Sequence, residues 1–168
     1  TKIFHNAMYD VCFIRAAGLK INGQIVDTMI AGSLVNENRF RYDLGSMGRD
    51  YVGKGKNEAV LQETAKEWGI DPKSEMYKLP AMYVGEYAEQ DAKLTLDLWQ
   101  EMKKQIEMED VGSIFELETE LFPCLVDMRF LGVRVDIEGA HKLKEKLVAE
   151  EKECLLKVKK ETGVDTQI

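Results

Sequence analysis

The chain has 168 residues, 45% hydrophobic and 32% charged, a length that fits one domain with or without an appendage and a composition that excludes disordered and fibrous proteins. Its 23 lysine and arginine residues against 30 aspartate and glutamate residues give a net charge of −7, which argues against non-specific electrostatic binding to DNA. No uncharged stretch approaches the roughly 20 apolar residues of a membrane span.

Two short apolar runs near the start of the chain each lead into a helix. Ile3-Phe4 precedes a helix predicted over Ala7–Ala17, for which Asn6 is a suitable N-cap. Residues 24–27 form a strand candidate and precede an apolar helix over Thr28–Leu34. Short strands that alternate with helices predict an α/β unit.

Helices dominate the rest of the chain. Asp43 is predicted to cap one of them, residues 53–56 to form a flexible turn, and Asp136 to cap the last and most highly charged helix. The predicted helices cover residues 43–51, 58–68, 81–108, 113–130 and 137–162, and one short strand covers residues 133–135. The predicted fold class is therefore α/β and helix-dominated.

A carboxylate interrupts the apolar face of the helix predicted over residues 81–108. That face repeats every 3.6 residues and consists of Val84, Tyr87, Ala88, Asp91, Leu94, Thr95, Leu98 and Met102. An ionised Asp91 on such a face is costly unless it is paired or binds a cation. Tyr87 precedes it by one turn, so the phenol and the carboxylate share one side of the helix.

The first helix repeats this arrangement. Asp10 shares a face with Phe13, Ile14 and Ala17, and Asn6 precedes it by one turn. No lysine or arginine lies on either of the two apolar faces. Two convergent carboxylates without a basic partner indicate a hard divalent cation such as Mg²⁺, which takes oxygen ligands.

Purely structural explanations stay open for both carboxylates. Asp10 is near enough to the start of its helix to be favoured there by the helix dipole. Asp91 would be explained equally well by a salt bridge with Arg15, Arg41 or another distant base.

Several segments resemble those of proofreading 3′–5′ exonucleases with the ribonuclease-H-like fold. His5–Asp10 resembles their second motif, Asn-x-x-x-Asp, and Tyr87–Asp91 resembles the tyrosine variant of their third motif, Tyr-x-x-x-Asp. Asp27–Met29 and Arg41–Leu44 resemble the stretch between these motifs in family A, polymerase-I-like, DNA polymerases. Glu118–Asp136 resembles the segment with which that family's polymerase region begins, so the resemblance covers nearly the whole chain.

The resemblance implies a metal-dependent hydrolysis of phosphodiesters. Asp91 would be a direct ligand of the catalytic metal, Asp10 would act through a second metal, and Tyr87 would orient the attacking water. The cofactors would be Mg²⁺ or Mn²⁺, with two ions in the intact site, one to generate hydroxide and one to stabilise the leaving 3′ oxygen.

The resemblance also implies nucleic acid as the substrate. Asn6 and Tyr9 would hold the terminal nucleotide, and Arg41 would contact a backbone phosphate, although core packing for Tyr9 and a solvated surface for Arg41 stay open. The partners would be the 3′ end of single-stranded DNA, primer–template DNA in the parent protein, and the remainder of the polymerase chain, with no membrane. Three cysteines without a CxxC pair suit a reducing compartment, here the cytoplasm of a bacterial or phage-infected cell.

The resemblance divides the chain into an N-terminally incomplete exonuclease domain over residues 1–112 and the start of a polymerase region over residues 113–168. The family's first motif, Asp-x-Glu, would precede Thr1. Asp136-Ile137-Glu138 has the same spacing but follows the third motif, and Asp136 is explained by helix capping. Two carboxylates alone make a weak Mg²⁺ site, so this chain alone is expected to be inactive or nearly so, whereas its parent would be an exonuclease.

Two other functions stay open. A catalytically dead exonuclease-like module would serve as a scaffold or binding platform; the missing motif favours this, and the retained Asp10, Tyr87 and Asp91 disfavour it. An RNA-processing exonuclease of the same fold would share the two matched motifs but is not expected to carry the segment over residues 118–136.

Overall fold

The computed structural model of the protein describes residues 1–165, which fall into two compact units, Thr1–Phe130 and a second from Leu131 onward. The first unit contains both strands and nearly all of the helices. In chain order they are β1 (Lys2–Phe4), α1 (Ala7–Ala16), β2 (Ile25–Asp27), α2 (Thr28–Val35), α3 (Leu44–Met47), α4 (Ala59–Glu67), α5 (Ala81–Met108) and α6 (Gly112–Leu131), whose last residue opens the second unit. A π-helical turn covers Gly48–Val52 and a 3₁₀ turn covers Met76–Lys78.

The two strands form a small parallel sheet, and α1 connects them. Ile3 pairs with Val26, and Phe4 pairs with Asp27. Because the strands are parallel, both end at the same edge of the sheet, and the residues that follow them come together there. The helix-dominated α/β class that the sequence predicts is confirmed.

Two apolar clusters stabilise the first unit through burial from water. The larger cluster joins α2, α3 and α5, and its buried members are Ala31, Leu44, Met47, Leu94, Leu98, Met102 and Ile106. The smaller cluster joins α1 and α6 through Ala7, Val11, Phe122 and Val126. The helix α5 supplies four of the seven buried residues of the larger cluster, more than α2 or α3.

A carboxylate from β2, and not the Asn6 side chain, holds the start of α1. Asn6 occupies the N-cap position in the left-handed region, with φ of 63° and ψ of 51°, and its side chain caps no backbone N–H. Asp27 accepts hydrogen bonds from the backbone N–H of Asn6 at 2.9 Å and of Ala7 at 2.7 Å. It also caps α2 by accepting from the N–H of Met29 at 2.9 Å. Asn6 thus occupies the predicted N-cap position, but Asp27 and not the Asn6 side chain supplies the capping oxygens, because strand pairing brings Asp27 to those donors.

The helix that Asp43 caps is shorter than predicted. Its α-helical part ends at Met47, and the chain continues as the π-helical turn over Gly48–Val52. A Cβ atom on Gly48 would lie 2.6 Å from the carbonyl oxygen of Lys54 and 2.9 Å from a methyl carbon of Leu94. A residue without a side chain is required here because the chain folds back closely upon itself.

The strand predicted over residues 133–135 does not form. These residues have no regular structure, and the sheet found within residues 1–165 contains only β1 and β2. A strand without a neighbour leaves its N–H and C=O groups unpaired, so alternating apolar residues alone do not create one.

The second unit consists mainly of α7 (Ile137–Thr162). Asp136 caps it, as predicted, by accepting from the N–H of Gly139 at 2.9 Å. Within the described range of α7 no residue is buried, and its charges pair along the helix surface, as Lys157 does with Glu153 at 2.8 Å. No helix within residues 1–165 combines the length and the apolar character that crossing a membrane requires.

Candidate active site

A cleft of about 1180 Å³ opens in the first unit at the end of β1, bounded by α1, α5 and the loops before α3 and α4. All six residues to which the sequence analysis assigns a role line it. They are Asn6, Tyr9, Asp10, Arg41, Tyr87 and Asp91. Residues that lie up to 85 positions apart in sequence thus face one volume, at the carboxyl edge of a parallel sheet where α/β proteins commonly bind ligands.

One wall of the cleft comes from the start of α1. Asp10 is partly buried, and the pKa of its carboxyl is raised, mainly by burial and further by the negative charge of Asp27. Its expected apolar surroundings are only partly present, because Phe13 is 62% exposed and Ala17 is exposed as well. The face of α1 that enters the core is instead the one with Ala7 and Val11, so Asp10 faces the cleft and not the protein interior.

Tyr9 and Arg41 are accessible at this cleft. Tyr9 is 58% exposed and packs against Phe13 with ring centroids 4.8 Å apart, so it is not a core residue. Arg41 is exposed and precedes α3. An accessible aromatic ring and a guanidinium group are groups that bind bases and phosphates.

Another wall comes from α5, and the loop before α4 places an unexpected cation, Lys56, against it. Lys56 donates hydrogen bonds from Nζ to Oδ2 of Asp91 at 2.6 Å and to the hydroxyl oxygen of Tyr87 at 3.0 Å. The side chains of Lys56 and Asp91 are each 24% exposed. The ammonium group also lies 5.1 Å from the centre of the Tyr87 ring.

The surroundings of Asp91 shift the pKa values of Lys56 and Tyr87, the two side chains beside it. Burial lowers the pKa of Lys56, but its hydrogen bonds to Asp91 and Tyr87 and the Asp91 charge more than offset this, so the net pKa is raised. Burial raises the pKa of Tyr87, and the nearby Lys56 offsets this only in part. The cleft therefore holds a charged ammonium and a neutral phenol beside Asp91 at neutral pH.

The expectation that Asp91 lacks a basic partner is wrong. The apolar face of α5 carries no lysine or arginine, as the sequence indicates, but Lys56 reaches Asp91 from the loop between the π-helical turn and α4. The sequence predicts only a flexible turn over residues 53–56, and nothing in this local pattern indicates the contact. The salt bridge to a distant base, one of the explanations left open, is thus realised, with Lys56 in place of the two arginines considered.

His5 supports the same edge of the sheet. The Thr28 hydroxyl donates to the carbonyl oxygen of Phe4 at 3.1 Å, so at 2.8 Å from His5 Nδ1 it acts as the acceptor of the imidazole N–H. His5 Nε2 is buried without a hydrogen-bond partner among the described residues. Burial lowers the pKa of His5, and the Lys56 charge lowers it further, while Asp27 opposes both. His5 is therefore neutral at neutral pH, and its contact with Thr28 joins the end of β1 to the start of α2.

The donor chemistry of the cleft fits a hard divalent cation, but the number of ligands is low. Asp10 and Asp91 offer carboxylate oxygens, and the Lys56 ammonium on Asp91 shows that this oxygen attracts a cation. Within residues 1–165 no group of three or more carboxylate, histidine or cysteine side chains is arranged to hold a metal ion. Two carboxylates would therefore need further oxygen ligands to complete such a site.

Comparison with known proteins decides the family. Residues 1–107 match a family model described as 3′-5′ exonuclease, of the DNA polymerase A type, and this match covers more than half of the chain. The chain belongs to the DNA polymerase A exonuclease family. The resemblance on which the sequence analysis relies is thereby confirmed.

Relatives of the chain are phage and bacterial DNA polymerases. It is 32% identical over 160 residues to a DNA-directed DNA polymerase of Pseudomonas phage M6, covering 94% of this chain and 24% of that protein. It is 31% identical over 144 residues to DNA polymerase DpoZ of Salmonella phage PMBT28, covering 82% and 23%. With DNA polymerase I of Chloroflexus aurantiacus it shares 27% over 154 residues, covering 84% and 15%. The chain spans about a quarter or less of the length of these relatives.

Proposed function

We propose that this chain is the proofreading part of a family A DNA polymerase and removes the 3′-terminal nucleotide from single-stranded DNA. The observation that carries the proposal is the cleft, in which Asp10 and Asp91 face one volume together with Tyr87. Family membership supports the same reaction class.

In this proposal some residues of the cleft hold the metal and others hold the DNA strand. Asp91 and Asp10 hold Mg²⁺ or Mn²⁺, which when bound activates water and stabilises the leaving oxygen. Tyr87 orients the water that adds to the phosphorus of the last phosphodiester. The bond from phosphorus to the 3′ oxygen of the preceding nucleotide then breaks, and that oxygen takes up a proton.

The strand is held by the exposed side of the cleft. Asn6 and Tyr9 hold the terminal nucleotide, Tyr9 through its accessible ring, and Arg41 contacts a backbone phosphate. The proposed partners are the 3′ end of single-stranded DNA and, in the parent protein, primer–template DNA and the rest of the polymerase. We place this protein in the cytoplasm of a bacterial or phage-infected cell.

We further propose the domain division at residue 112, with residues 113–168 as the start of the polymerase region. The similarity to the phage M6 polymerase supports it, because that alignment covers 94% of the chain and so extends past the exonuclease family match at residue 107. The low ligand count of the cleft supports the prediction that the 168-residue chain alone is inactive or nearly so.

The direct test is the digestion of a 5′-labelled single-stranded DNA oligonucleotide by the full-length gene product with Mg²⁺, followed in time. The expected result is a ladder that shortens by one nucleotide at a time from the 3′ end and disappears with EDTA. The isolated 168-residue chain, tested alongside, is expected to leave the oligonucleotide intact, and rapid digestion by it would overturn the inactivity prediction.

A non-catalytic scaffold is the second candidate function. The Lys56–Asp91 ion pair favours it, because that pair satisfies Asp91 without any metal. Absence of any digestion by the full-length product, on DNA and on RNA of the same sequence, would establish the scaffold and contradict the exonuclease proposal. Digestion of the RNA alone would instead indicate an RNA-processing enzyme.

A further inference from the structure

Lys56 is held at the cleft by more than its own hydrogen bonds. The backbone N–H of Lys54 donates to the carbonyl oxygen of Gly48 at 3.1 Å, which ties the loop to the π-helical turn. The Lys54 ammonium also pairs with Asp97 of α5 at 3.4 Å, and a Cβ atom on Gly55 would lie 3.2 Å from the side chain of Arg49. The loop is thus held by contacts of the two residues that directly precede Lys56.

The ammonium group of Lys56 keeps one donor for a ligand. It has three N–H bonds, of which one is directed to Asp91 and one to Tyr87. No third acceptor for Lys56 Nζ occurs among residues 1–165. Because Lys56 lines the cleft, the remaining N–H is available to an anionic oxygen that enters there.

Two other cations line the same cleft. Arg41 and Lys73 both contribute to its wall, so that the cleft presents positive groups beside its carboxylates. Lysine binds phosphate as a point charge, and a phosphate oxygen satisfies an ammonium donor without displacing its other hydrogen bonds. A phosphodiester is therefore the anion that fits a cleft with an aromatic ring and several cations at its edge.

We propose that Lys56 is a strand-binding and positioning residue, whose ammonium donates to a phosphodiester oxygen of the bound strand while it fixes Asp91 and Tyr87. This inference rests on the proposed function, because it assigns a further residue to the same cleft. A purely structural role, in which Lys56 only neutralises Asp91, is the competing explanation.

The test measures strand binding without metal, so that it does not depend on catalysis. Binding of a short fluorescent single-stranded DNA oligonucleotide to the 168-residue chain is followed by anisotropy in EDTA at several salt concentrations. Each lost phosphate contact on a single strand reduces the slope of log affinity against log salt by ~0.7. Lys56→Met is expected to weaken binding and to show this reduction, whereas Lys56→Arg is expected to keep the wild-type slope.

The neighbouring loop provides the matched control. Lys54 is 64% exposed, pairs with Asp97 and does not line the cleft, so Lys54→Met removes the same charge from the same loop and is expected to leave the slope unchanged. If Lys54→Met reduced the slope as much as Lys56→Met does, net charge alone would control binding, and this result would overturn the proposal.

A double variant separates strand contact from neutralisation of Asp91. In an Asp91→Asn background Lys56 no longer has its carboxylate partner to neutralise. Lys56→Met is then expected to reduce the slope by ~0.7 if Lys56 contacts the strand, and to leave the slope unchanged if its only role is to neutralise Asp91. An unchanged slope in that background would overturn the Lys56 proposal and leave the exonuclease proposal standing. A wild-type chain that binds no oligonucleotide would likewise overturn the Lys56 proposal, whereas the exonuclease proposal is decided separately by digestion of DNA with the full-length gene product.

Discussion

The helices α5 and α7 are nearly equal in length, 28 and 26 residues, but they differ in the number of residues that they bury. Five residues of α5 are buried, and four of them belong to the main core cluster. Within its described residues 137–162, α7 buries none. Both helices are rich in charge, and on α7 the charges form exposed pairs such as Lys142 with Glu138 at 2.7 Å.

The comparison of α5 with α7 shows which carboxylates on a helix are candidates for a functional role. A charge on α7 remains in water, where pairing contributes little to stability or chemistry. Asp91 lies on the buried side of α5, where an unpaired charge is costly, and the fold supplies Lys56 to it and opens a cleft beside it. Asp91 is therefore balanced by a contact from outside its own helix, at a place where the protein surface opens into a cleft.

Truncation of one leucine on each helix tests this contrast most strongly. Leu98→Ala on α5 is expected to lower the free energy of unfolding by about 3 kcal/mol, because Leu98 is fully buried and its removal leaves a cavity. Leu147→Ala on α7 removes the same atoms from a side chain that is 53% exposed, and a change below about 0.5 kcal/mol is expected. Denaturant unfolding followed by circular dichroism measures both, and equal effects would contradict the contrast.

Removal of one capping carboxylate from each unit is expected to give a smaller difference. Asp27→Ala leaves the N–H groups of Asn6, Ala7 and Met29 without their acceptor in a buried place, so a loss of about 2 kcal/mol is expected. Asp136→Ala removes an exposed cap of α7 and is expected to cost about 1 kcal/mol.

Unfolding by denaturant compares these two capping variants, with Asp27→Asn as a control that retains one acceptor oxygen. If Asp27→Ala were no more destabilising than Asp136→Ala, the assigned role of Asp27 at the starts of α1 and α2 would be wrong.

The smallest expected effect concerns His5 and pH. Burial holds its pKa below the ordinary 6.5, so the unfolded chain binds a proton more readily than the folded chain. Stability is therefore fully present above about pH 6.5 and declines as the pH falls through the lowered pKa of the folded state. His5→Gln is expected to flatten this decline, measured as the unfolding midpoint between pH 7.5 and pH 5. An identical decline in both proteins would show that His5 is not its source.

Local signals in the sequence were sufficient to predict most of the helices and to single out Asp10 and Asp91, whereas Tyr9 and Arg41 were assigned to the site through the family resemblance. Pro80 marks the start of α5, and the 3.6-residue spacing around Asp91 identifies its buried side. The contacts that escaped prediction, Lys56 with Asp91 and Asp27 with the start of α1, join residues 35 and about 20 positions apart. They depend on strand pairing and loop packing, which no local pattern contains.

The same reason explains the elements that were predicted wrongly. Residues 133–135 have the composition of a strand but lack a neighbour within the described chain. The α-helix after Asp43 gives way to a π-helical turn where Gly48 approaches the Lys54 carbonyl, a contact that the local sequence does not specify.

One pair of variants on α5 tests whether Asp91 acts in the chemistry of the cleft. Asp97, less than two turns further along the helix, is also paired to a lysine of the same loop but does not line the cleft. In the full-length gene product with Mg²⁺, single-turnover digestion of a single-stranded DNA oligonucleotide is compared for wild type, Asp91→Asn and Asp97→Asn. Loss of a direct metal ligand is expected to slow Asp91→Asn by at least ~10³, while Asp97→Asn stays close to wild type. Equal rates in all three proteins would contradict a catalytic role of Asp91 and leave it as a structural partner of Lys56.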